Sequence, residues 1–541
     1  MKEYIVVVKP GEDLTTLDSE MAASTGNGVV PNRAVECSDA CPHDTRMTHW
    51  KLTDEEAKTL EGDARILAVE LPYDDDPTIE RKLHAWQGGT FNKADTNDGV
   101  NWGLSRCSSQ INNFEGNTSI FDNYKYAMTG EGVDVVIFDS GIEVNHPEFL
   151  DASGALRVMQ LDWFANHSGV TNPYAAQGPL GAGFYTDTGG HGTHVAGIAA
   201  GKTYGWAKNA HIYSMKIFDT DALSDTLGMD LIKFWHQNKG NNRPTIVNMS
   251  YGYYWNIDGW VGAAANDVGQ HWDTFTNQMD HWTFGDANFN SVYEVNQQVD
   301  VAPGSMSNRS AAVDAKLDQL VAAGVHVTIA GGNYGDVQYN YSDDANDNYN
   351  DFISRPSFNG GAAIHYHRGS SPRASTVKSS EMIVTNIGVE LENNKEVLSY
   401  SSACGEAMDI NAPGSNITSA CSTTHTMGGS AADYPADPNY KIANISGTSM
   451  AAPQVCGVGA LYLQADPTLT PAELKAKILH DAKTGLLHDT VWDQKDLNKY
   501  HYIEFSSNVS FRPERGLFGG PNKVLYNRYV GDVFVRYVAA D

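Results

Sequence analysis

Four short runs dominated by apolar residues constrain the architecture of this chain more than any other feature. They are VDVVIF (133–138), IYSMKIF (212–218), PTIVNMS (244–250) and GVHVTIA (324–330), with helical stretches between them. A strand that alternates apolar with polar can leave one side wet. A strand apolar at nearly every position is buried on both sides, and helices are what cover both sides. Repeated strand–helix alternation of this kind predicts an α/β fold with a mostly parallel sheet and helices on both faces. In such sheets, reacting groups gather beyond the carboxyl ends of the strands.

The first seventy residues read differently. EYIVVV (3–8) predicts a strand and DLTTLDSEMAAST (13–25) a helix. RAVEC and MTHWKL predict two more strands, and ARILAVELP a closing one. Thr53-Asp54-Glu55-Glu56 has capping-box spacing, so a short helix to about Asp63 should follow. The order β-α-β-β-α-β is that of a small ferredoxin-like α+β domain over 1–71, suited to binding, regulation or inhibition. Residues 72–100 have linker composition; 101–485 form the α/β unit, and 486–541 are a C-terminal extension. In the extension, Gly519-Gly520-Pro521-Asn522 is a turn signal and VGDVFVRYV a candidate strand. Segments 253–300 and 334–376 interrupt the α/β pattern and read as insertions. The second contains SDDANDNYND, whose carboxylates suit Ca²⁺ but lack the spacing of a known calcium loop.

Charge narrows the partners. The chain has 66 acidic against 37 basic residues, a net charge of -29. Nucleic acid and anionic membranes would be repelled, and salt would screen the self-repulsion. No apolar run reaches membrane-span length. Ile5 to Val8 is too short for a signal-peptide core, so no export route is expected; residence in the cytoplasm, release by lysis or packaging in a particle such as a virion stay open. Six cysteines do not make a disulfide scaffold in a chain of 541 residues. Cys37 and Cys41, with His43 nearby, suggest a metal grip, but no second pair matches them. Free thiols or a chance pair are the plainer expectation.

Three short motifs bear chemistry. Asp139 ends an apolar strand in VVIFDSG, where a carboxylate is either a turn former or an active-site group. His191 opens GGHGTHVAGIAAG at a helix start. It could pair with His194 on a metal, but HExxH is absent; it could equally be a general base facing a cleft. Ser449 lies in ISGTSMAAPQ, just before an apolar helix rich in Ala and Gly. Pro453 should be tolerated only in a first turn, which puts Ser449 at the helix N-terminus, among free N–H groups. Small neighbours suit either a nucleophile or tight helix packing. Taken together, Asp139, His191 and Ser449 supply an orienter, a base and a nucleophile. Asn333, after Gly331 and Gly332 at a strand end, adds a candidate oxyanion donor.

The motifs DSG, GGHGTHVAG and GTSMAAP, in that order, resemble the subtilase family of serine proteases, and Asp…His…Ser is the known order of subtilisin. NWGLSR (101–106) resembles the mature start of proteinase K-like members. GKTYGWAKNAHIYSMKIF, IVNMSYG and YSSACGEAMDINAPGSNI extend the resemblance over most of 101–483. The first seventy residues resemble the family's inhibitor-chaperone propeptide. The resemblance implies a serine endopeptidase acting on polypeptides, made as a self-processing zymogen with its own prodomain as intramolecular inhibitor. It implies that Ser449 attacks, His191 takes the proton, Asp139 holds the imidazole, and Asn333 with the Ser449 N–H holds the oxyanion. Ser250, Tyr251 and Gly252 would line the cleft and pair with extended substrate, as would Ala330, Gly331 and Gly332. Processing would fall between Ala85 and Trp102. No cofactor is implied for the chemistry; a structural calcium ion is an expectation from the carboxylates of the 334–376 insertion alone. The chain departs from the family pattern at Gln454, where histidine is usual, and at Ala222-Leu223-Ser224-Asp225, where a Gly-Ser-Gly-rich pairing strand is usual. The insertion leaving the cleft-lining strand is a third departure. Gln454 implies a packing change only; the missing export signal, the two insertions and the altered pairing strand motivate an alternative, a catalytically silent subtilase fold, structural or binding, that keeps its prodomain. A lipase or esterase is excluded, because GTSMA is not GxSxG.

Overall fold

Alternation along β1 (Lys2–Val8) organises the N-terminal domain. The computed structural model describes residues 1–23, 29–41, 44–72, 79–83, 102–110, 112, 126–151, 153–256, 268–273, 278–283, 305–307, 309–333, 338–340, 350–354, 363–367, 369–370, 372–373, 380–399, 401–425, 427–489 and 516–529. After β1 come α1 (Leu14–Ala22), β2 (Cys37–Asp39), β3 (Met47–Leu52), α2 (Asp54–Leu60) and β4 (Ile66–Glu70), and the antiparallel sheet has the order β2-β3-β1-β4. The capping box forms at α2: the Glu56 N–H donates to the Thr53 hydroxyl at 3.2 Å, and the Thr53 N–H to the Glu56 carboxylate at 2.9 Å. Tyr4, Val6 and Val8 face the domain's own helices, while Ile5 and Val7 face outward.

The remaining elements, in chain order, are β5 (Ile79–Leu83), α3 (Trp102–Cys107), β6 (Asp134–Asp139), β7 (Val158–Met159), α4 (His191–Ala200), β8 (His211–Lys216), α5 (Asp225–Asn238), β9 (Thr245–Met249), β10 (Tyr251–Asn256), β11 (Val268–Asp273), β12 (Gln278–Thr283) and β13 (Ser305–Ser307). Then follow α6 (Ala311–Ala322), β14 (His326–Ala330), β15 (Asn350–Ser354), β16 (Ala363–His367), β17 (Met382–Glu392), β18 (Lys395–Leu398), β19 (Ile410–Pro413), β20 (Ile417–Cys421), β21 (Ala431–Tyr434), β22 (Asp437–Ile445), α7 (Thr448–Ala465), α8 (Pro471–Asp481), β23 (Lys483–Thr484) and β24 (Lys523–Val524). The main sheet runs β23-β24-β19-β17-β14-β9-β6-β8-β7, with β18 beside β17. Its central pairs are all parallel, as the apolar runs predict. Val135 and Ile137 of β6 pack with α4 and α7, and Val136 and Phe138 pack with α5 and α6. Both faces are therefore covered.

The N-terminal domain docks on α6. Ile5, Val7, Cys41 and Met47 pack on Ala312 and Ala315. Glu70 accepts the Ala311 N–H at 2.7 Å and the Ala312 N–H at 3.2 Å, where the helix dipole favours an anion. Lys316 is buried between Asp44 of this domain and Asp230 of α5, and Arg46 reaches Asp318 at 2.9 Å.

Several details differ from the sequence reading. Part of the linker, β5, pairs antiparallel with β10. The two insertions share one antiparallel sheet, β12-β11-β15-β16. The C-terminal extension adds β24 beside β19, where the Asn411 amide donates to the Pro521 and Lys523 carbonyls at 2.7 Å each. All six cysteines are free, with Cys37 exposed and Cys41 buried. His43, most of SDDANDNYND and all of VGDVFVRYV lie outside the described residues. Among the described residues no helix is long and apolar enough to cross a membrane, and no cluster of three or more His, Cys, Asp or Glu is arranged to hold a metal.

Candidate active site

Asp139 is the last residue of β6, His191 the first of α4, and Ser449 the second of α7. Ser250 follows β9, the strand next to β6. All four gather at the carboxyl end of the parallel sheet.

His191 and Asp139 are fully buried, and the His191 Nδ1 lies 2.8 and 3.0 Å from the two carboxylate oxygens. A carboxylate only accepts, so Nδ1 carries the proton and Nε2 keeps its lone pair. That Nε2 is buried and has no hydrogen-bond partner. Gly192 permits the approach of α4 to the end of β6, since a Cβ there would sit 2.1 Å from the Gly141 carbonyl oxygen. His194 is no metal partner of His191: it bonds the Ala443 carbonyl at 3.0 Å, and burial pushes its pKa down to about 3.

Ser449 sits differently from the sequence expectation. Its hydroxyl donates to the Ser250 carbonyl at 3.1 Å and not to His191. In return the Ser250 hydroxyl donates to the Ser449 carbonyl at 3.0 Å. Pro453 explains this exchange. It is the sixth residue of α7 rather than a first-turn residue. Lacking an N–H, it leaves the Ser449 carbonyl, four residues back, without its helical donor. The Ser250 hydroxyl supplies one, and the Asn248 amide holds Ser250 in turn at 2.8 Å.

Asn333 is oriented by Thr448, a residue that sequence reasoning missed. The Thr448 N–H and hydroxyl both donate to the Asn333 Oδ1, at 2.8 and 2.9 Å, and the Thr448 hydroxyl accepts the Gly332 N–H at 3.1 Å. A backbone N–H can donate only to the amide oxygen, so the side chain cannot be flipped. Its Nδ2 is left buried and without a partner.

Asp187 was also missed. Its carboxylate accepts from the Gly190 N–H, the Thr193 N–H and the Ser140 hydroxyl, each at 2.8 Å, and from the Thr193 hydroxyl at 2.5 Å.

The cleft-lining residues divide. Ser250 and Gly252 border β10's start, where Gly252 lies opposite Lys82 and Tyr251 opposite Leu83. The Tyr251 side chain is buried rather than in the cleft wall: it stacks on Phe138, and its hydroxyl reaches Asp225 at 3.5 Å. Ala330 ends β14. The Gly331 and Gly332 N–H groups are already donated, to the Val384 carbonyl and the Thr448 hydroxyl, so these residues can line a cleft but not pair as a free strand edge. Residues 222–225 form no strand, because Ser224 caps α5 and Asp225 begins it.

The sequence model of the subtilase family matches residues 130–502, more than half of the chain. The chain belongs to the subtilase family. Among curated relatives of this subtilase, Subtilisin-like protease 8 of Trichophyton verrucosum is 27% identical over 415 residues, covering 75% of this chain and 61% of that protein. Subtilisin-like protease 1 of Arthroderma otae is 27% identical over 475 residues, covering 85% and 67%. Alkaline serine exoprotease A of Vibrio alginolyticus is 24% identical over 389 residues, covering 72% and 48%. The chain thus spans 61% of the length of the first of these relatives. Among solved structures, fervidolysin from Fervidobacterium pennivorans aligns with a TM-score of 0.47 at 17% identity, over 92% of this chain and 61% of that one. A cold-adapted subtilisin-like serine proteinase aligns with a TM-score of 0.45 at 22% identity, over 80% and 99%.

Proposed function

We propose that this subtilase is a serine endopeptidase made as a self-processing zymogen. One observation carries the reading: the His191 Nε2 and the Asn333 Nδ2 are both buried and unpartnered, at the sheet end where α7 presents Ser449. A buried polar atom without a partner costs stability. A lone pair and an N–H donor left open beside a serine are what acyl transfer uses.

In the proposed reaction the Ser449 hydroxyl turns from the Ser250 carbonyl to the His191 Nε2. Its proton passes to that nitrogen as Oγ attacks the peptide carbonyl carbon. Asp139 holds the imidazole and balances its positive charge. The carbonyl oxygen becomes an oxyanion, held by the Asn333 Nδ2 and the Ser449 N–H, which at a helix start has no intrahelical acceptor. Collapse breaks the C–N bond, and His191 gives its proton to the leaving amine. Water, deprotonated by the same nitrogen, then hydrolyses the acyl-serine. The residues need no cofactor for these steps.

The N-terminal domain is proposed as inhibitor. Its contacts with α6 support that role, and so does β5, which lies antiparallel along β10 as an extended substrate would. The proposed processing region, between Ala85 and Trp102, is downstream in the sequence and lies outside the described residues up to Trp102 itself. Polypeptides are the proposed substrates.

Incubating the purified chain tests this. Wild type should lose about 90–100 residues from its N-terminus, by intact mass, and then digest casein, while Ser449→Ala should stay whole and inactive. Identical behaviour of the two, uncut and inactive, would instead establish the silent fold.

A further inference from the structure

We propose that Asp187 is a positioning residue for His191, acting through a buried carboxylate that locks the start of α4 to the end of β6. The proposal deepens the protease reading above and rests on it.

Asp187 is 3% exposed. All four of its partners donate: the Gly190 and Thr193 N–H groups and the Thr193 and Ser140 hydroxyls. The Ser140 hydroxyl accepts the Gly192 N–H at 2.9 Å, so its own proton goes to Asp187. Four donors call for the ionised, acceptor-only carboxylate. The Ser140 N–H donates to the Asp139 Oδ1 at 2.7 Å, the same oxygen that the His191 Nδ1 meets at 2.8 Å. A continuous path therefore runs from Asp187 through Ser140 to the Asp139–His191 pair. On the far side, the Asp187 carbonyl accepts from the Ser422 and Thr424 hydroxyls, at 2.6 and 3.0 Å, which ties the segment after β20 to the histidine's loop.

The charge needs a reason. Burying a carboxylate is unfavourable until its donors compensate the lost hydration. Elsewhere hydroxyls cap α2 (Thr53), α5 (Ser224), α6 (Ser310) and α8 (Thr470), and the one carboxylate that caps a described helix from its N-cap position, Asp13 on α1, is exposed rather than buried. A hydroxyl would also cap α4. What a hydroxyl cannot do is add negative charge behind the Asp139–His191 pair as the imidazole becomes cationic. Among the described residues, the other charged or titratable groups near Asp187 and the pair are Glu143 after β6, Lys216 of β8, Asp219 after β8, His194 of α4, Cys421 of β20 and His425 after β20. His194 is kept neutral by burial, and Lys216 opposes the carboxylates.

The test uses the full chain with a chromogenic peptide, following kcat and KM from pH 5 to 9 beside thermal melts. Asp187→Asn keeps the shape and removes the charge. It should move the acid limb of kcat/KM to lower pH by about half a unit or more, because the protonated histidine loses support. Ser140→Ala keeps the charge and cuts the link to β6. It should lower kcat about 10-fold at nearly unchanged KM, as misplacement of a base does. A merely structural role would scale activity at every pH and leave the limb in place. An acid limb that stays in place in folded Asp187→Asn overturns the proposal, whatever happens to kcat. If Asp187→Asn does not fold, Ser140→Ala decides: lowered kcat at constant KM supports the proposal, and wild-type kcat overturns it. An inactive wild type, with Ser449 unlabelled by a fluorophosphonate, would instead sink the protease reading.

Discussion

At the scale of single residues, the site consists of two bonded halves. Asp139 holds His191, and Thr448 holds Asn333; the Ser449 hydroxyl is parked on the Ser250 carbonyl between them. Asn333→Leu removes the buried donor while leaving the cleft's outline. It should lower kcat on the order of 10²–10³ with KM nearly unchanged, a magnitude carried over from subtilisin's oxyanion donor. A raised KM with kcat unchanged would assign Asn333 to ground-state binding instead. Asp139, His191 and Ser449 were legible because each sits in a short motif that a strand end or helix start requires. Thr448 and Asp187 were not. Their roles depend on partners such as Asn333, 115 residues away along the chain, and Ser140, 47 away, and nothing local encodes those pairings.

At the scale of elements, α7 shows how a local defect is repaired at long range. Pro453 deprives the Ser449 carbonyl of its helical donor, and Ser250, 199 residues away, replaces it. Ser250→Ala should therefore destabilise the fold by about 1–3 kcal/mol, the cost of a buried unsatisfied carbonyl. In a Pro453→Ala background the same change should cost less, because the helix then supplies the N–H. Urea unfolding of the four variants measures this coupling, and strictly additive effects would contradict the repair. The sequence pattern yielded the parallel strands and the Thr53–Glu56 capping box, whose signals lie within one element. It did not yield β5 on β10 or the sheet shared by the two insertions. Those strands lack a sustained two-residue alternation, and their register is set by an edge supplied from elsewhere in the chain.

At the scale of the whole molecule, acid should loosen this fold. Burial pushes the pKa of His194 and His326 down to about 3 and that of His236 to about 4. The unfolded chain binds those protons near pH 6.5. Between that pH and the lowered values the unfolded state holds more protons, so stability falls as pH falls through 6.5 and flattens near 4 to 3. The loss should be on the order of several kcal/mol by pH 4. Asp187 and Glu70 act in the opposite sense, because burial raises their pKa values and the folded state gains protons there first. Urea midpoints at pH 7 and pH 4.5 check the balance, and a midpoint that holds or rises at pH 4.5 contradicts it. The account as a whole depends on a serine activated by a distant histidine. Fluorophosphonate labelling of the processed protein, mapped by peptide mass spectrometry, tests that most directly. The account predicts label at Ser449 in wild type and none in Ser449→Ala or His191→Ala; an unlabelled Ser449 in folded wild type, or labelling that persists without His191, would contradict it.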